Sequence, residues 1–193
     1  MLIILNGPPG VGKDTLALAM EQVISIKALS FKGPMWEIAE ALLGKLKFEE
    51  FCELYHDRET KELPQSWLAG LSPRQFFIHI SENIAKPMFG DQYFGLRLKE
   101  EYDDVIMSGD SMAVVSDGGF STELFPFLNA HEEVLVVRLY REGFSFGGDS
   151  RNYLNEGQFA FFPQHTRPEF MDVHLVEGQP GIAMDAILKR VME

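Results

Sequence analysis

The residues best suited to chemistry lie near the start of the chain, in the run Gly7-Pro-Pro-Gly-Val-Gly-Lys-Asp-Thr15. Its spacing matches G-x-x-x-x-G-K, a loop whose glycines let successive backbone N–H groups point at phosphate oxygens. Lys13 adds a full positive charge, and a helix that begins at the loop adds a partial one. The motif predicts a site for the phosphates of ATP. Its predicted contacts are Gly10, Val11, Gly12, Lys13, Asp14 and Thr15.

A Mg²⁺ site is expected beside this loop. Asp14 stands where the motif usually has the serine or threonine that binds the metal. Either Thr15 supplies that hydroxyl one position later, or Asp14 holds the metal through water. Asp117 ends an apolar run and precedes two glycines, which suits a carboxylate that holds Mg²⁺ through water, although a turn-forming aspartate fits the same pattern. We predict Thr15 and Asp117 as the metal residues.

Arg138, Arg141 and Arg151 bracket a long segment, residues 141–168, that is rich in Gly, Phe and Asn. A segment of this length without periodicity is usually functional or mobile. We predict that it is a lid whose Arg141 and Arg151 bring positive charge to the transferring phosphoryl group. Asp149 is a candidate partner for one of them in the empty site. The aromatic residues of the segment either stack on a base or pack the segment onto the core.

The elements that must position these groups alternate along the chain. Short apolar runs predict strands at 2–5, 28–31, 112–116, 134–139 and 173–176. Helical patterns follow the first loop and cover 35–43, 48–55, 72–88, 93–102, 121–130 and 182–192. Alternating strands and helices predict an α/β fold, in which a parallel sheet is covered on both faces. Ligands of such sheets bind beyond the carboxyl ends of the strands, where the loop and Asp117 are expected.

Composition narrows the classes of function. The 193 residues suit one domain. The net charge of -12 argues against a nucleic-acid or anionic-membrane surface, which needs a broad positive footprint. No run approaches the roughly 18 apolar residues of a membrane span. The single cysteine, Cys52, excludes an intrachain disulfide and suits a reducing cytoplasm.

Several motifs, in this order, resemble the deoxynucleoside monophosphate kinases of bacteriophages. Besides Gly-Lys-Asp-Thr in the loop, they are Phe31-Lys-Gly-Pro-Met, Asp57-Arg-Glu-Thr-Lys-Glu, Ser72-Pro-Arg-Gln, Phe89-Gly-Asp-Gln-Tyr-Phe, Val115-Ser-Asp-Gly-Gly-Phe and Gly148-Asp-Ser-Arg. They span most of the chain. The departure is Gly118-Gly119, where related sequences often have an arginine after the aspartate, which puts a second cation at this strand end in question.

The resemblance implies a three-layer P-loop NTPase fold with a five-stranded parallel sheet, an acceptor-binding helical region at about 32–105 and a lid at about 141–168, all in a single domain, 1–193. It implies ATP and Mg²⁺ as cofactors, and the host cytoplasm as location if the chain is phage-encoded. A homodimer is compatible with it.

The resemblance also implies roles for residues of the helical region. Arg74 lies on the first turn of the helix that Ser72 opens, and there it would bind the acceptor monophosphate with two parallel hydrogen bonds. Arg58 and Lys61 would complete this acceptor site. Phe77 belongs either to its wall or to the core.

Two other functions fit the same residues. One is a P-loop kinase that phosphorylates a sugar, an acid or another small metabolite, with a different acceptor pocket. The other is a nucleotide-binding module without transfer activity that contacts a partner protein. A nucleic-acid-dependent ATPase is disfavoured by the acidic charge and the small size.

Overall fold

A computed structural model describes residues 1–148 and 151–192, so Asp149 lies outside the described part of the chain. Five strands form one parallel sheet in the order β2-β3-β1-β4-β5. They are β1 Leu2–Asn6, β2 Ile26–Leu29, β3 Met112–Val115, β4 Val134–Tyr140 and β5 Glu169–His174. Helices flank the sheet, and all five residues of the central strand β1 are buried, as expected where both faces are covered. The structure confirms the predicted α/β fold with a five-stranded parallel sheet.

Eight α-helices lie within the described residues: α1 Lys13–Val23, α2 Gly33–Leu43, α3 Lys45–His56, α4 Pro73–His79, α5 Lys86–Phe89, α6 Tyr93–Met107, α7 Phe125–Asn129 and α8 Pro180–Met192. A π-helical stretch, Ile80–Ala85, joins α4 to α5. Short 3₁₀ turns cover Ser66–Leu68, Ser121–Glu123, Glu156–Phe159 and Gln164–Thr166. No helix of the described residues is long and apolar enough to cross a membrane.

The chain divides into two compact units. The first, Met1–Phe31 with Phe94–Glu193, contains the sheet. Its core includes Leu16 and Met20 of α1 and Ile187 of α8, each at most 1% exposed. Burial of such side chains stabilises the unit by about 1.5–3 kcal/mol each.

The second unit, Lys32–Tyr93, is helical and has an aromatic core. Trp36 of α2 meets the edges or faces of the rings of Phe51, Tyr55 and Phe77 at centroid distances of 5.8, 4.9 and 4.5 Å. Edge-to-face contacts of this kind add about 0.5–1.5 kcal/mol each to the burial of the rings.

Two elements differ from the sequence-based expectation. The helix predicted over 72–88 is interrupted by the π-helical stretch just before α5. Pro87 lacks the N–H that would bond to the carbonyl of Asn83, so the regular ladder cannot continue there. The last strand, β5, begins at Glu169 and ends before Leu175. As an edge strand it includes the exposed polar residues Glu169, Asp172 and His174, so a search for apolar runs did not find its start.

Candidate functional site

The phosphate-binding loop connects β1 to α1 and curls around the ammonium of Lys13. Lys13 is 8% exposed, and its Nζ donates to the carbonyl oxygens of Gly7 and Pro8, both at 2.7 Å. Gly10 and Gly12 have φ values of 76° and 118°, a region that favours glycine. The N-cap residue of α1, Gly12, makes no side-chain capping hydrogen bond. The first N–H groups of α1 therefore suit an anion, as the motif predicts.

Two carboxylates are tied to the ends of the neighbouring strands. The Asp14 Oδ1 accepts a hydrogen bond from the Ser116 hydroxyl at 2.6 Å. The Asp117 Oδ2 accepts from the Ser30 hydroxyl at 2.6 Å, and its Oδ1 accepts from the backbone N–H of Phe31 at 3.1 Å. Asp117 thereby links the end of β3 to the end of β2, at the point where the chain leaves the sheet unit.

The residues around the loop fit Mg²⁺ as a cofactor. The described residues hold no group of three or more His, Cys, Asp or Glu side chains that would cage a metal by themselves. Mg²⁺ rarely needs such a cage, because it takes one or two carboxylates together with water and substrate phosphates. Asp14 and Thr15 are exposed on the first turn of α1, and Asp117 is half-buried. The assignment of the metal to Thr15 and Asp117 stays a prediction, with Asp14 as the alternative.

Arg151 lies against the turn that follows β3. Its Nη1 donates to the Asp117 carbonyl oxygen at 3.4 Å. A Cβ on Gly119 would lie 2.5 Å from Cδ of Arg151 and 3.1 Å from its Cβ. The glycine therefore leaves room for the arginine stem. The strand end at Gly118-Gly119 is thus reached by a cation from the long segment.

Arg141 lies in a different place, beside the phosphate-binding loop. Its Nη2 is 3.1 Å from Oε1 of Glu177, and its guanidinium lies 4.7 Å from the ring centroid of Phe144. That ring in turn reaches the loop, since a Cβ on Gly10 would be 3.3 Å from its Cε1. An open cleft of about 440 Å³ adjoins them. Its lining residues are Arg141, Glu142, Gly143, Leu175, Val176 and Glu177.

Most of the predicted lid is packed onto the sheet unit. Leu154, Phe159, Phe162 and Thr166 are at most 8% exposed. The rings of Phe159 and Phe162 contact Phe125 at centroid distances of 6.3 and 5.4 Å. Packing therefore accounts for these two aromatic residues, whereas residues 142–145 are exposed. A mobile role for 141–168 stays a prediction.

The predicted acceptor residues lie in the helical unit. The backbone N–H of Arg74 donates to the Lys61 carbonyl at 3.2 Å, and the Arg74 guanidinium pairs with Glu62 at 3.4 Å. The Lys61 ammonium lies 3.8 Å from the ring centroid of Tyr55. Arg58 belongs to the turn that leads to Lys61. The unit therefore brings the main chains of Lys61 and Arg74 together, and their role in binding stays a prediction.

Phe77, for which the sequence left open the wall of the acceptor site or the core, packs among aromatic rings of the helical unit. It is 3% exposed and its ring packs on Trp36, Phe51 and Tyr55, with centroids 4.5, 5.1 and 4.6 Å away. The side chain belongs to the aromatic core of the unit, because the apolar face of α4 is buried there.

Sequence reasoning missed several polar residues of the site. Ser30 and Ser116 hold the two carboxylates, and each directly follows a strand of the structure, β2 or β3, although the predicted strands had included both residues. The Glu123 carboxylate, 8% exposed, accepts from the backbone N–H groups of Gly119 and Phe120 at 3.2 and 3.1 Å. Nothing in the spacing indicated that contact.

No protein-family model and no curated protein matches this sequence. Among solved structures, a candidate kinase from Chloroflexus aurantiacus is 15% identical, with 99% of this chain and 95% of that chain covered and a TM-score of 0.50. A sugar kinase from Janibacter sp. is 15% identical over 98% and 92% of the two chains, with a TM-score of 0.47. Dephospho-CoA kinase from Campylobacter jejuni is 10% identical over 98% and 96%, with a TM-score of 0.48. At 15% identity, the likeness to the first of these structures shows a similar fold and nothing more.

Proposed function

We propose that this protein is an ATP-dependent phosphotransferase that converts a deoxynucleoside monophosphate to its diphosphate. The observation that carries the proposal is the buried Lys13 inside a complete phosphate-binding loop at the end of the central strand. Asp117 and Arg151 lie together at the end of the adjacent strand β3. A cationic loop next to a carboxylate and an arginine is the arrangement that transfer of a phosphoryl group requires.

ATP is the proposed donor. Its phosphates would replace the Gly7 and Pro8 carbonyl oxygens as partners of the Lys13 ammonium, because charged oxygens make stronger hydrogen bonds. The cleft beside Phe144 and Arg141 suits the base, since a ring and a guanidinium can both stack on a nucleobase. This gives Arg141 a binding role at the base, whereas the sequence suggested the transferring phosphoryl group.

Mg²⁺ would be held by Thr15 and Asp117, where it would neutralise charge on the phosphates. The reaction itself needs no side-chain base, because the nucleophile is an oxygen of the acceptor phosphate, which is already an anion. That oxygen bonds to the γ-phosphorus while the bond between this phosphorus and the β–γ bridging oxygen breaks. ADP leaves with the electron pair. Lys13 and Arg151 would stabilise the charge that develops on the transferred group.

The acceptor is proposed from the resemblance and from the helical unit. Arg58, Lys61 and Arg74 supply positive charge around one pair of adjoining segments, 57–62 and 72–75. A monophosphate dianion needs such a set, and an arginine can hold it with two parallel hydrogen bonds. Glu62, which pairs with Arg74 at 3.4 Å, would give way to the phosphate.

The test is ADP release from Mg-ATP with each deoxynucleoside monophosphate, each ribonucleoside monophosphate and no acceptor. We expect turnover with one or more of the deoxynucleotides. Lys13→Ala should lower kcat at least about 10²- to 10³-fold, whereas Lys189→Ala, at an exposed lysine of α8, should change it little.

Absence of turnover with every nucleotide, despite measurable ATP binding, would contradict the proposed acceptor. A wider acceptor screen then separates the two other candidate functions. Turnover with a sugar, an acid or another metabolite would indicate a metabolite kinase. ATP binding without ADP release on any acceptor would indicate a binding module.

A further inference from the structure

Asn6 is a buried polar residue that the proposed reaction does not use directly. It is the last residue of β1, immediately before Gly7 of the phosphate-binding loop, and it is 1% exposed. Its Oδ1 accepts from the backbone N–H of Leu154 at 2.9 Å, and its Nδ2 donates to the backbone carbonyl of Asn152 at 3.4 Å. One amide therefore uses its donor and its acceptor on the same short stretch of the long segment.

The neighbouring contacts fix that stretch further. The hydroxyl of Tyr153, between the two bonded residues, donates to the Leu139 carbonyl of β4 at 2.8 Å. The Leu154 side chain is 1% exposed. Residues 152–154 are thus attached to the carboxyl ends of β1 and β4, which are adjacent strands of the sheet.

Arg151 directly precedes this fixed stretch. Its aliphatic stem lies against Gly119, and its Nη1 reaches the Asp117 carbonyl at 3.4 Å. The pairing of Ile4 with Val115 in β1 and β3, continued by two residues, places Asn6 level with Asp117. Arg151, and Asn6, which binds residues 152 and 154, therefore both lie at the carboxyl ends of the strands.

We infer that Asn6 is a positioning residue, which holds Arg151 at the end of β3 beside the phosphate-binding loop. The inference rests on the proposed function and deepens it. It makes Arg151 a cation that is fixed on the sheet unit before substrate binds. The sequence had instead suggested that Arg151 belongs to a mobile lid. Catalysis through a charged group depends on its placement, and a misplacement of about 1 Å can cost roughly 100-fold in rate.

The test compares Asn6→Leu, Asn6→Asp, Arg151→Ala and the double variant Asn6→Leu/Arg151→Ala with wild type. Leucine removes both hydrogen bonds at similar volume. Aspartate keeps an oxygen that can accept from the Leu154 N–H but has no N–H to donate to Asn152. This variant replaces Asn6→Leu in the comparison if the leucine variant does not fold. We expect kcat to fall roughly 10- to 100-fold in Asn6→Leu, with the KM for ATP within about twofold of wild type. The double variant should be no slower than Arg151→Ala, because the two residues act as one unit.

The matched control is Thr166→Val, at another buried residue of the same segment, whose hydroxyl donates to the Pro163 carbonyl at 3.0 Å. It should leave kcat within about twofold, since its hydrogen bond joins it to Pro163 and not to the stretch beside Arg151. Backbone hydrogen exchange gives a second readout, independent of turnover, and Asn6→Leu should speed exchange at Leu154.

The inference would be overturned if Asn6→Leu left kcat unchanged, or if Arg151→Ala kept the wild-type rate. It would also be overturned if the double variant lost the full sum of the two single losses in activation free energy, or if hydrogen exchange at Leu154 were unchanged in Asn6→Leu. Absence of turnover in the wild-type protein would instead contradict the proposed function itself.

Discussion

At the scale of single residues, the site is defined by what each charged group contacts. The Lys13 ammonium is held by two carbonyl oxygens, which are weaker partners than the phosphate oxygens expected to replace them. Both oxygens of Asp117 accept hydrogen bonds from residues at the end of β2. Each carboxylate oxygen has two lone pairs, so these contacts leave room for a water-mediated metal. The hydrogen bonds orient the carboxylate without excluding its predicted role.

Arg141 offers a sharp test at this scale, because the sequence and the structure suggest different roles for it. If it stacks on the donor base beside Phe144, Arg141→Ala should raise the KM for ATP and leave kcat nearly unchanged. A stacked cation contributes about 0.5–2 kcal/mol, which corresponds to a change of roughly two- to thirty-fold. Steady-state kinetics with varied ATP at a fixed, saturating acceptor concentration measure this directly.

The control for that measurement is Arg190→Ala, which removes an exposed arginine of α8 that pairs with Glu169. It should alter neither constant appreciably. A collapse of kcat in Arg141→Ala at unchanged KM would favour the role that the sequence suggested, at the transferring phosphoryl group.

At the scale of elements, the sequence predicted the strands, loops and helix starts that are determined by residues close together in the chain. The strands β1, β3 and β4 are largely apolar runs, because strands buried on both faces favour apolar residues. The edge strand β2 includes the exposed Lys27 and begins two residues before the predicted run. The glycine loop and the capping box of Ser72 and Gln75 are local signals as well. The start of the edge strand β5 and the interruption before Pro87 were missed, since the first depends on its neighbours and the second on how the chain adjusts to a missing N–H.

The candidate site shows the same division. The spacing of the loop was enough to predict Lys13. The contacts of Arg151 with Gly119, and of Asn6 with Asn152 and Leu154, join residues more than 30 positions apart. Periodicity and motif spacing report neighbours along the chain, so contacts of this kind could not be read from them.

Gly95 in α6 gives a prediction about how two elements pack. Replacing a helical glycine with alanine usually stabilises a helix by up to about 1 kcal/mol. At Gly95, however, a Cβ would lie 2.3 Å from the backbone oxygen of Glu123, a contact that no side-chain movement can relieve. Gly95→Ala should therefore lower the free energy of unfolding by about 1–3 kcal/mol, as measured by urea denaturation.

Gly181→Ala provides the matched control, because this glycine of α8 has nothing within 4 Å of the added Cβ. The same chemical change there should be neutral or slightly stabilising. Equal effects of the two substitutions would show that α6 does not pack as closely on the Ser121–Glu123 turn as the structure has it.

At the scale of the whole molecule, a net charge of -12 has to coexist with a site for a polyanion. At physiological ionic strength, charges more than about 8 Å apart are largely screened. The distant acidic surface therefore acts weakly on a bound phosphate, whereas Lys13 and the N-terminus of α1 act at contact distance. Several surface cations pair with carboxylates, as Arg138 does with Asp172 at 2.5 Å and Lys99 with Asp103 at 2.5 Å.

The sheet unit also carries groups that should make the protein lose stability at alkaline pH. Burial raises the pKa of Tyr102, with a further contribution from Glu132, and burial likewise raises the pKa of Tyr140 and Tyr153. Burial alone would lower the pKa of Lys99, but its hydrogen bonds to Asp103 and Glu132 outweigh that effect and raise it. A raised pKa means that the folded state keeps a proton that the unfolded state releases.

The stability that these four groups contribute is therefore fully present below their unfolded pKa of about 10 and is lost as the pH rises above it. Each group can lower the free energy of unfolding by at most about 1.4 kcal/mol per pH unit in that window.

Urea unfolding of wild type and Tyr102→Phe at pH 7, 9, 10 and 11 tests this. The difference in unfolding free energy at pH 7 measures the effect of the lost hydroxyl itself and is subtracted from the differences at higher pH. Tyr102 is 2% exposed and its hydroxyl donates to Glu132 at 3.3 Å. We therefore expect the variant to be less stable at pH 7 and to lose less stability than wild type between pH 10 and 11. Parallel losses in the two proteins across that interval would mean that Tyr102 keeps no proton the unfolded chain releases, and that the contact with Glu132 is not maintained in solution.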